Sequence, residues 1–278
     1  MYTGQTQADK LTTVRIVRKK AKGERVVCLT AYDFPTARIL DEAGVDLILV
    51  GDSAANVVYG MPTTLTIGMD EMVFHTRAVA AGVKRALVVG DMPFLSYQVS
   101  VEKAVANAGR FLQAGAEAVK VEGAGVIPAI KRLVELGIPV MGHLGLTPQS
   151  VHKLGGYRLQ ARKSEDQERL LADAKALADA GCFSLVLEKV PAEVAKRVTE
   201  AIPIPTIGIG AGPDCDGQVL VLHDMLGMSD ASPLKFVKQY AHLYADILKA
   251  VTSYADEVRS GNFPNEDHTF HTDRQGQG

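Results

Sequence analysis

Short apolar runs alternate with amphipathic stretches along nearly the whole chain. Eight runs, at 25–32, 45–52, 86–93, 118–123, 139–146, 182–190, 205–212 and 218–227, are rich in Val, Ile or Leu, and most are bounded by Gly or Pro. Continuous hydrophobicity over so few residues reads as parallel strands covered on both faces. Between them the spacing predicts helices. Asp70 is placed to cap one whose Met72, Thr76, Val79 and Val83 share a face. Ser100 is placed to cap another, carrying Ala104, Ala108, Phe111 and Leu112 to a stop at Gly115. Ser164 with Gln167 fits a capping box ahead of Leu170, Ala174, Leu177 and Ala178, ending at Gly181. Pro128 and Pro191 suit first helical positions. A last stretch, as one helix or two, is predicted from Ser232 and Pro233 through Phe236, Tyr240, Leu243, Ile247, Val251, Tyr254 and Val258 towards Gly261.

Eight strand–helix units in 278 residues average about 35 residues each, the length that a single (β/α)8 TIM barrel needs. The expected organisation is therefore α/β, one barrel domain over 1–278. Residues 212–218 leave no room for a full helix, so the seventh crossover is expected to be short. An open doubly wound sheet is the alternative architecture. Val14, Ile16 and Val17 among basic neighbours predict an extra N-terminal helix closing one end of the barrel. Residues 1–10 and about 272–278 are expected to be poorly ordered.

Composition narrows the class. With 30 Lys and Arg against 32 Asp and Glu, the net charge is −2, which gives no general attraction to nucleic acid or an anionic membrane. Cys28, Cys182 and Cys215 are odd in number and widely separated, which excludes a disulfide scaffold and favours a reducing compartment. No apolar run is long enough to span a membrane, and the first ten residues lack the apolar stretch of a signal peptide. A soluble, cytoplasmic α/β-type protein is the expectation.

In a barrel, chemistry collects at the carboxyl ends of the strands. Those ends here carry Asp52 and Ser53, Asp91, Lys120 and Glu122, His143, and Glu188. Lys120 and Glu122 share a side because side chains alternate along a strand. Four carboxylates converging on one mouth repel one another unless a cation offsets them. An all-oxygen set at Asp52, Asp91 and Glu122 favours a hard divalent ion, Mg²⁺ first, with Mn²⁺, Co²⁺ or Zn²⁺ as alternatives. The bland reading, a cap or turn carboxylate, suits Asp33 and Asp214 better than these three. His143 is kept outside the metal shell as a neighbour. Lys120 is either a counter-ion to the acids or a Schiff-base nucleophile; the three acidic strand ends argue against the second. Gly208, Gly210 and Gly212 suit a phosphate cradle or tight packing equally well, and His268 and His271 read as solvated.

At these same residues the sequence resembles the ketopantoate hydroxymethyltransferase family, from Thr12 to about Phe270. The resemblance rests on TTVR, CLTAYD, LVGDS, VVGDMPF, AVKVEGAG, GHLGLTPQSVHKLGGY, LVLEKVP, GIGAGPDCDGQVLVLHDMLG and FVKQYA. It implies a fold related to the phosphoenolpyruvate/pyruvate-binding barrels. It implies metal ligands at Asp52, Asp91 and Glu122, substrate contacts at Asp52, Ser53, Asp91 and Lys120, and a proton acceptor at Glu188. The implied reaction moves a hydroxymethyl group from 5,10-methylenetetrahydrofolate, a cosubstrate, to 3-methyl-2-oxobutanoate through a metal-stabilised enolate. The products are 2-dehydropantoate and tetrahydrofolate, in the pantothenate (coenzyme A) pathway. The resemblance also implies a homo-oligomer, a decamer. Two departures stand out: Ala54, Ala55 and Asn56 replace the Leu-Gly-Met expected after Ser53, and Ala161 replaces a Gly before Arg162. The competing readings are a Mg-dependent 2-oxo acid lyase or mutase of the phosphoenolpyruvate mutase/isocitrate lyase type, and a catalytically silent paralogue that only binds or assembles. None of the three cysteines lies in a clear lid loop, as such a lyase needs, and the silent paralogue has no reason to keep all the acids.

Overall fold

The computed structural model describes residues 10–230 and 232–272; the expectations for 1–9 and 273–278 lie outside the described residues. Eight parallel strands close into a barrel in chain order. They are β1 Val26–Thr30, β2 Leu47–Val50, β3 Leu87–Asp91, β4 Ala118–Glu122, β5 Val140–Gly145, β6 Ser184–Glu188, β7 Thr206–Ile209 and β8 Gly217–Leu220. Pairing of β8 with β1, Cys28 opposite Val219, completes the closure, so the open-sheet alternative is excluded. Every predicted strand is present. The eighth is shorter than expected, because the Leu222 amide donates to Thr30 Oγ1 at 3.0 Å and a short helix, Leu222–Met225, begins there. As expected, no helix joins β7 to β8.

The barrel interior is graded along its axis. Same-side positions of the strands, including Val26, Cys28, Leu47, Leu49, Leu87, Val89, Ala118, Met141, Val186, Ile207 and Val219, form one apolar cluster. Leu11 and Ile16 join it, the latter from helix Thr13–Ala21. This is the predicted N-terminal helix closing the lower end. Two residues further along the same sides of β3 to β6 stand Asp91, Lys120, His143 and Glu188, and the interior becomes charged.

Several helix starts differ from expectation. Helix Met69–Gly82 is capped at Gly68 rather than Asp70; the Gly68 amide donates to Glu71 Oε2, and Asp70 lies in the first turn, paired with Arg110. Ser100 caps Val101–Gln113 as predicted, accepting from the Lys103 amide at 3.2 Å. Ser164 is the first residue of helix Ser164–Asp179, with Lys163 as its cap, so the capping box is absent. Pro128 sits in the first turn of Ile127–Glu135, while Pro191 is the cap of Ala192–Ala201.

The chain divides into two compact units, one ending at Leu222 and holding the whole barrel, the other beginning at His223. In the second, the helix runs Leu243–Ser260 and stops at Gly261, starting well after Ser232. The amides of Tyr240, Leu243 and Tyr244 are spent on the carbonyls of Met225, Leu226 and Gly227, which holds the preceding segment out of the helix. Among the described residues no helix is long and apolar enough to cross a membrane.

Candidate active site

Strand register builds the charged tier. Asp91 pairs with Lys120 across β3 and β4, and Glu122 pairs with His143 across β4 and β5. Paired residues point the same way, so all four face inward. Asp52 follows β2, and its backbone amide donates to Asp91 Oδ2 at 3.2 Å. Lys120 Nζ donates to both oxygens of Asp91, at 2.7 and 2.8 Å, and lies 3.8 Å from Glu122 Oε1. Glu188, at the end of β6, places Oε2 3.4 Å from His143 Nε2, and His143 Nδ1 lies 3.3 Å from Glu122 Oε1. One imidazole therefore bridges the two glutamates at ion-pair distance, although neither ring nitrogen has hydrogen-bond alignment. Asp52, Asp91, Lys120, Glu122 and His143 are buried; the Glu188 side chain is 15% exposed. Ser53 Oγ hydrogen-bonds Tyr32 Oη at 2.8 Å.

A residue not anticipated from the sequence ties this tier together. Gln149, from the turn after β5, donates through Nε2 to Asp52 Oδ2 at 3.0 Å and to the Met92 carbonyl at 2.9 Å. Its backbone amide donates to Glu122 Oε2 at 3.0 Å. Its Oε1 accepts from Tyr97 Oη at 2.8 Å and from Gln98 Nε2 at 3.0 Å, and Tyr97 Oη accepts from the Glu122 amide. The sole sequence signal was its place in the GLTPQS stretch.

Burial and mutual charge set the protonation states. Burial, then the charges of Asp91 and Glu122, push the Asp52 carboxyl well above the usual carboxylate range against the pull of Lys120 and Gln149. For Glu122, burial is outweighed by His143, Lys120 and the Gln149 amide, and its pKa falls. Burial and Lys120 oppose a charge on His143, but the two flanking glutamates prevail and raise it to about 9. Burial also opposes the Lys120 ammonium, yet Asp91, Glu122 and Asp52 together raise its pKa. A Schiff-base lysine needs a lowered pKa; the raised pKa and the 2.7 Å ion pair with Asp91 favour the counter-ion reading of Lys120.

The donor set fits a hard cation in chemistry rather than in present arrangement. Among the described residues no three His, Cys, Asp or Glu side chains stand as a ready metal shell, because Lys120 caps Asp91 and Gln149 holds Asp52 and Glu122. Yet Glu122 Oε1 is buried without a hydrogen bond, and Asp52 is short of positive charge. Oxygen donors in that state are what a divalent ion offsets.

Other candidates resolve as structural. Asp33 caps helix Phe34–Glu42. A Cβ at Gly208 would meet Cys215 Sγ at 3.0 Å, and one at Gly212 would meet Ala192 Cβ at 2.5 Å, which favours tight packing over a phosphate cradle. Ala54 and Ala55 are fully buried in helix Ala54–Val57, and Asn56 Nδ2 donates to the Met61 carbonyl. His268 and His271 are exposed.

Comparison with known proteins bears on this constellation. The family model for ketopantoate hydroxymethyltransferase matches residues 10–266. The 3-methyl-2-oxobutanoate hydroxymethyltransferase of Syntrophobacter fumaroxidans is 57% identical over 264 residues, covering 94% of this chain and 93% of that protein. The protein of the same name from Moorella thermoacetica is 54% identical over 266 residues, covering 95% and 99%. Among solved structures, a phosphonopyruvate hydrolase in complex with oxalate and Mg²⁺ has a TM-score of 0.61 at 13% identity, covering 93% of both chains. The 2,3-dimethylmalate lyase of the PEP mutase/isocitrate lyase superfamily has 0.59 at 16%, covering 92% and 91%. The likeness to these two is one of fold alone. By its sequence over nearly its full length, the chain belongs to the ketopantoate hydroxymethyltransferase family.

Proposed function

We propose that the chain transfers a hydroxymethyl group from 5,10-methylenetetrahydrofolate to 3-methyl-2-oxobutanoate, giving 2-dehydropantoate and tetrahydrofolate. The observation that carries this is the charged tier itself, with a cationic Lys120 inside a ring of buried acids and a half-buried Glu188 one imidazole away. The family's full-length likeness selects this reaction over the lyase or mutase alternative, with which the chain shares a fold.

Each group has a distinct task. Lys120 and the Ser53 hydroxyl hold the substrate carboxylate. Asp52, Asp91 and Glu122 would hold a divalent ion, Mg²⁺ first and Mn²⁺, Co²⁺ or Zn²⁺ as alternatives, which when bound supplies Lewis acidity at the ketone. Glu188 takes the proton from C3, and His143 beside it offsets the charge that Glu188 carries before the transfer. The electron pair left at C3 forms the new bond to the methylene carbon, whose bonds to the two carrier nitrogens break. Over one turnover water supplies the hydroxyl oxygen. The C3 hydrogen and one hydrogen of water end on the carrier nitrogens.

The three buried, unpaired cysteines support a reducing, cytoplasmic setting. Helix Leu243–Ser260 buries none of its side chains although it carries Tyr244, Ile247, Leu248, Val251, Tyr254 and Val258, and this supports a homo-oligomer, with a decamer as the state implied by the family.

The test separates binding from proton removal. Glu188→Gln keeps shape and loses the base. The variant is expected to bind metal and 3-methyl-2-oxobutanoate while exchange of the C3 hydrogen in deuterated water, followed by NMR without folate, nearly stops. Equal exchange rates in variant and parent would reject Glu188 as the base. Loss of metal binding would instead put Glu188 in the coordination shell.

A further inference from the structure

A cleft of about 690 Å³ opens beside the charged tier, with Glu122 as part of its wall. It lies between the turn Ala124–Val126, the end of β5 and helix Ser164–Asp179. The volume is that of a small-molecule site, roughly 300–1,000 Å³, and more than a small branched keto acid fills. Val126, Ile127, Leu144, Leu154 and Leu170 supply apolar walls.

Four charged residues complete the lining. Two neutralise each other: Arg169 Nη2 donates to Asp166 Oδ1 at 2.7 Å. Among the described residues, Asp173 and Lys153 make no hydrogen bond or ion pair within the cleft. Asp173 is half-buried, and burial raises its carboxyl pKa against the pull of Arg169. One acid and one base outside that pair therefore face an apolar slot.

The cleft is tied to the proposed base. Ala161, buried in its lining, is held at φ +53°. Beside it the Gln160 amide donates to the Lys189 carbonyl at 2.8 Å, and Lys189, itself at φ +45°, follows Glu188 directly. Gly145, also in the lining, packs so closely that a Cβ there would lie 2.3 Å from the Glu188 carbonyl oxygen. Non-glycine residues in left-handed backbone persist where the surroundings over-determine them, commonly at ligand sites.

The geometry points to this cleft as the seat of the one-carbon carrier, a reduced pterin with a glutamate tail. The inference rests on the hydroxymethyl-transfer reading above. The apolar walls take the pterin and aminobenzoyl rings, Asp173 accepts from the N–H edge of the pterin, and Lys153 meets the tail carboxylates. Glu122 is the member of the charged tier that the cleft's lining includes, so a carrier lying here approaches the keto acid from that side.

Two substitutions, at half-buried Asp173 and exposed Lys153, test this in the full-length, metal-supplied protein. Asp173→Asn is expected to raise KM for 5,10-methylenetetrahydrofolate roughly ten-fold or more, the loss expected for one hydrogen bond to a charged group. Lys153→Glu is expected to raise it further for a polyglutamylated carrier than for a monoglutamylated one. In both, C3 exchange measured without carrier keeps the parental rate. Unchanged carrier KM in both variants would overturn the cleft assignment and leave the reaction standing. Loss of exchange in step with transfer would also overturn it, since the residues would then serve the keto acid. A parent enzyme that exchanges C3 hydrogen yet transfers nothing from the carrier would overturn the reaction, and the occupant with it.

Discussion

Gln149 shows how a neutral residue can govern a charged site. Its amide and side chain fix the orientation of Asp52 and Glu122, so it acts on the proposed cation through them. Outer partners of this sort are worth about 10–100-fold in metal affinity or activity. Gln149→Leu is therefore expected to weaken Mg²⁺ binding by calorimetry within that range while circular dichroism stays unchanged. Undiminished Mg²⁺ affinity would reduce Gln149 to loop packing. Cys182 offers a test at the other extreme of polarity. Burial pushes its thiol up from the ordinary thiol value near 9 to about 12. The unfolded chain then releases a proton above pH 9 that the folded chain keeps, so stability falls as pH rises from 9 towards 12. Cys182→Ala should flatten that part of a denaturation profile against pH, and an unaltered slope would assign it to other groups. At this scale the acids were legible because each ends an apolar run. Gln149 and Tyr97 were not, since an uncharged polar residue in a loop looks ordinary until its partners from other strands are known.

The elements followed the sequence where physics is local and departed where it is not. Eight strands could be read because each run is apolar throughout, and a parallel strand needs no more than that. Helix starts were harder. Ser164 has the residue type and spacing of a cap, but the chain enters the helix one residue earlier, at Lys163, and Glu165 and Asp166 support the first turn through the helix dipole. The stretch after Ser232 has helical periodicity, yet its amides pair with residues 225–227, a contact the period cannot reveal. The loop bearing Ala161 gives the prediction for this scale. A left-handed alanine costs about 1–2 kcal/mol, partly offset by the extra freedom glycine gains when unfolded. Ala161→Gly is expected to raise stability by up to about 1 kcal/mol in urea denaturation. A loss of stability would show that the alanine methyl contributes more packing than it costs in strain.

For the whole molecule, the apolar residues of helix Leu243–Ser260 set the expectation. Six large apolar side chains on one helix, none of them buried, are more than a monomer leaves to water without reason. Light scattering at micromolar concentration is expected to give a multiple of 29.7 kDa, and a monomer would reject the oligomer. The graded interior has a separate consequence, for how this protein can change. Leu87 stands four residues below Asp91 on β3, roughly 13 Å at the rise of a parallel strand. Energetic coupling between substitutions fades beyond about 7–10 Å. The floor of the barrel and its mouth are therefore nearly independent. Replacements at Leu47 or Leu87, which pair across β2 and β3, can be selected for heat tolerance or lost to drift, and the acids above them inherit only the altered margin of stability.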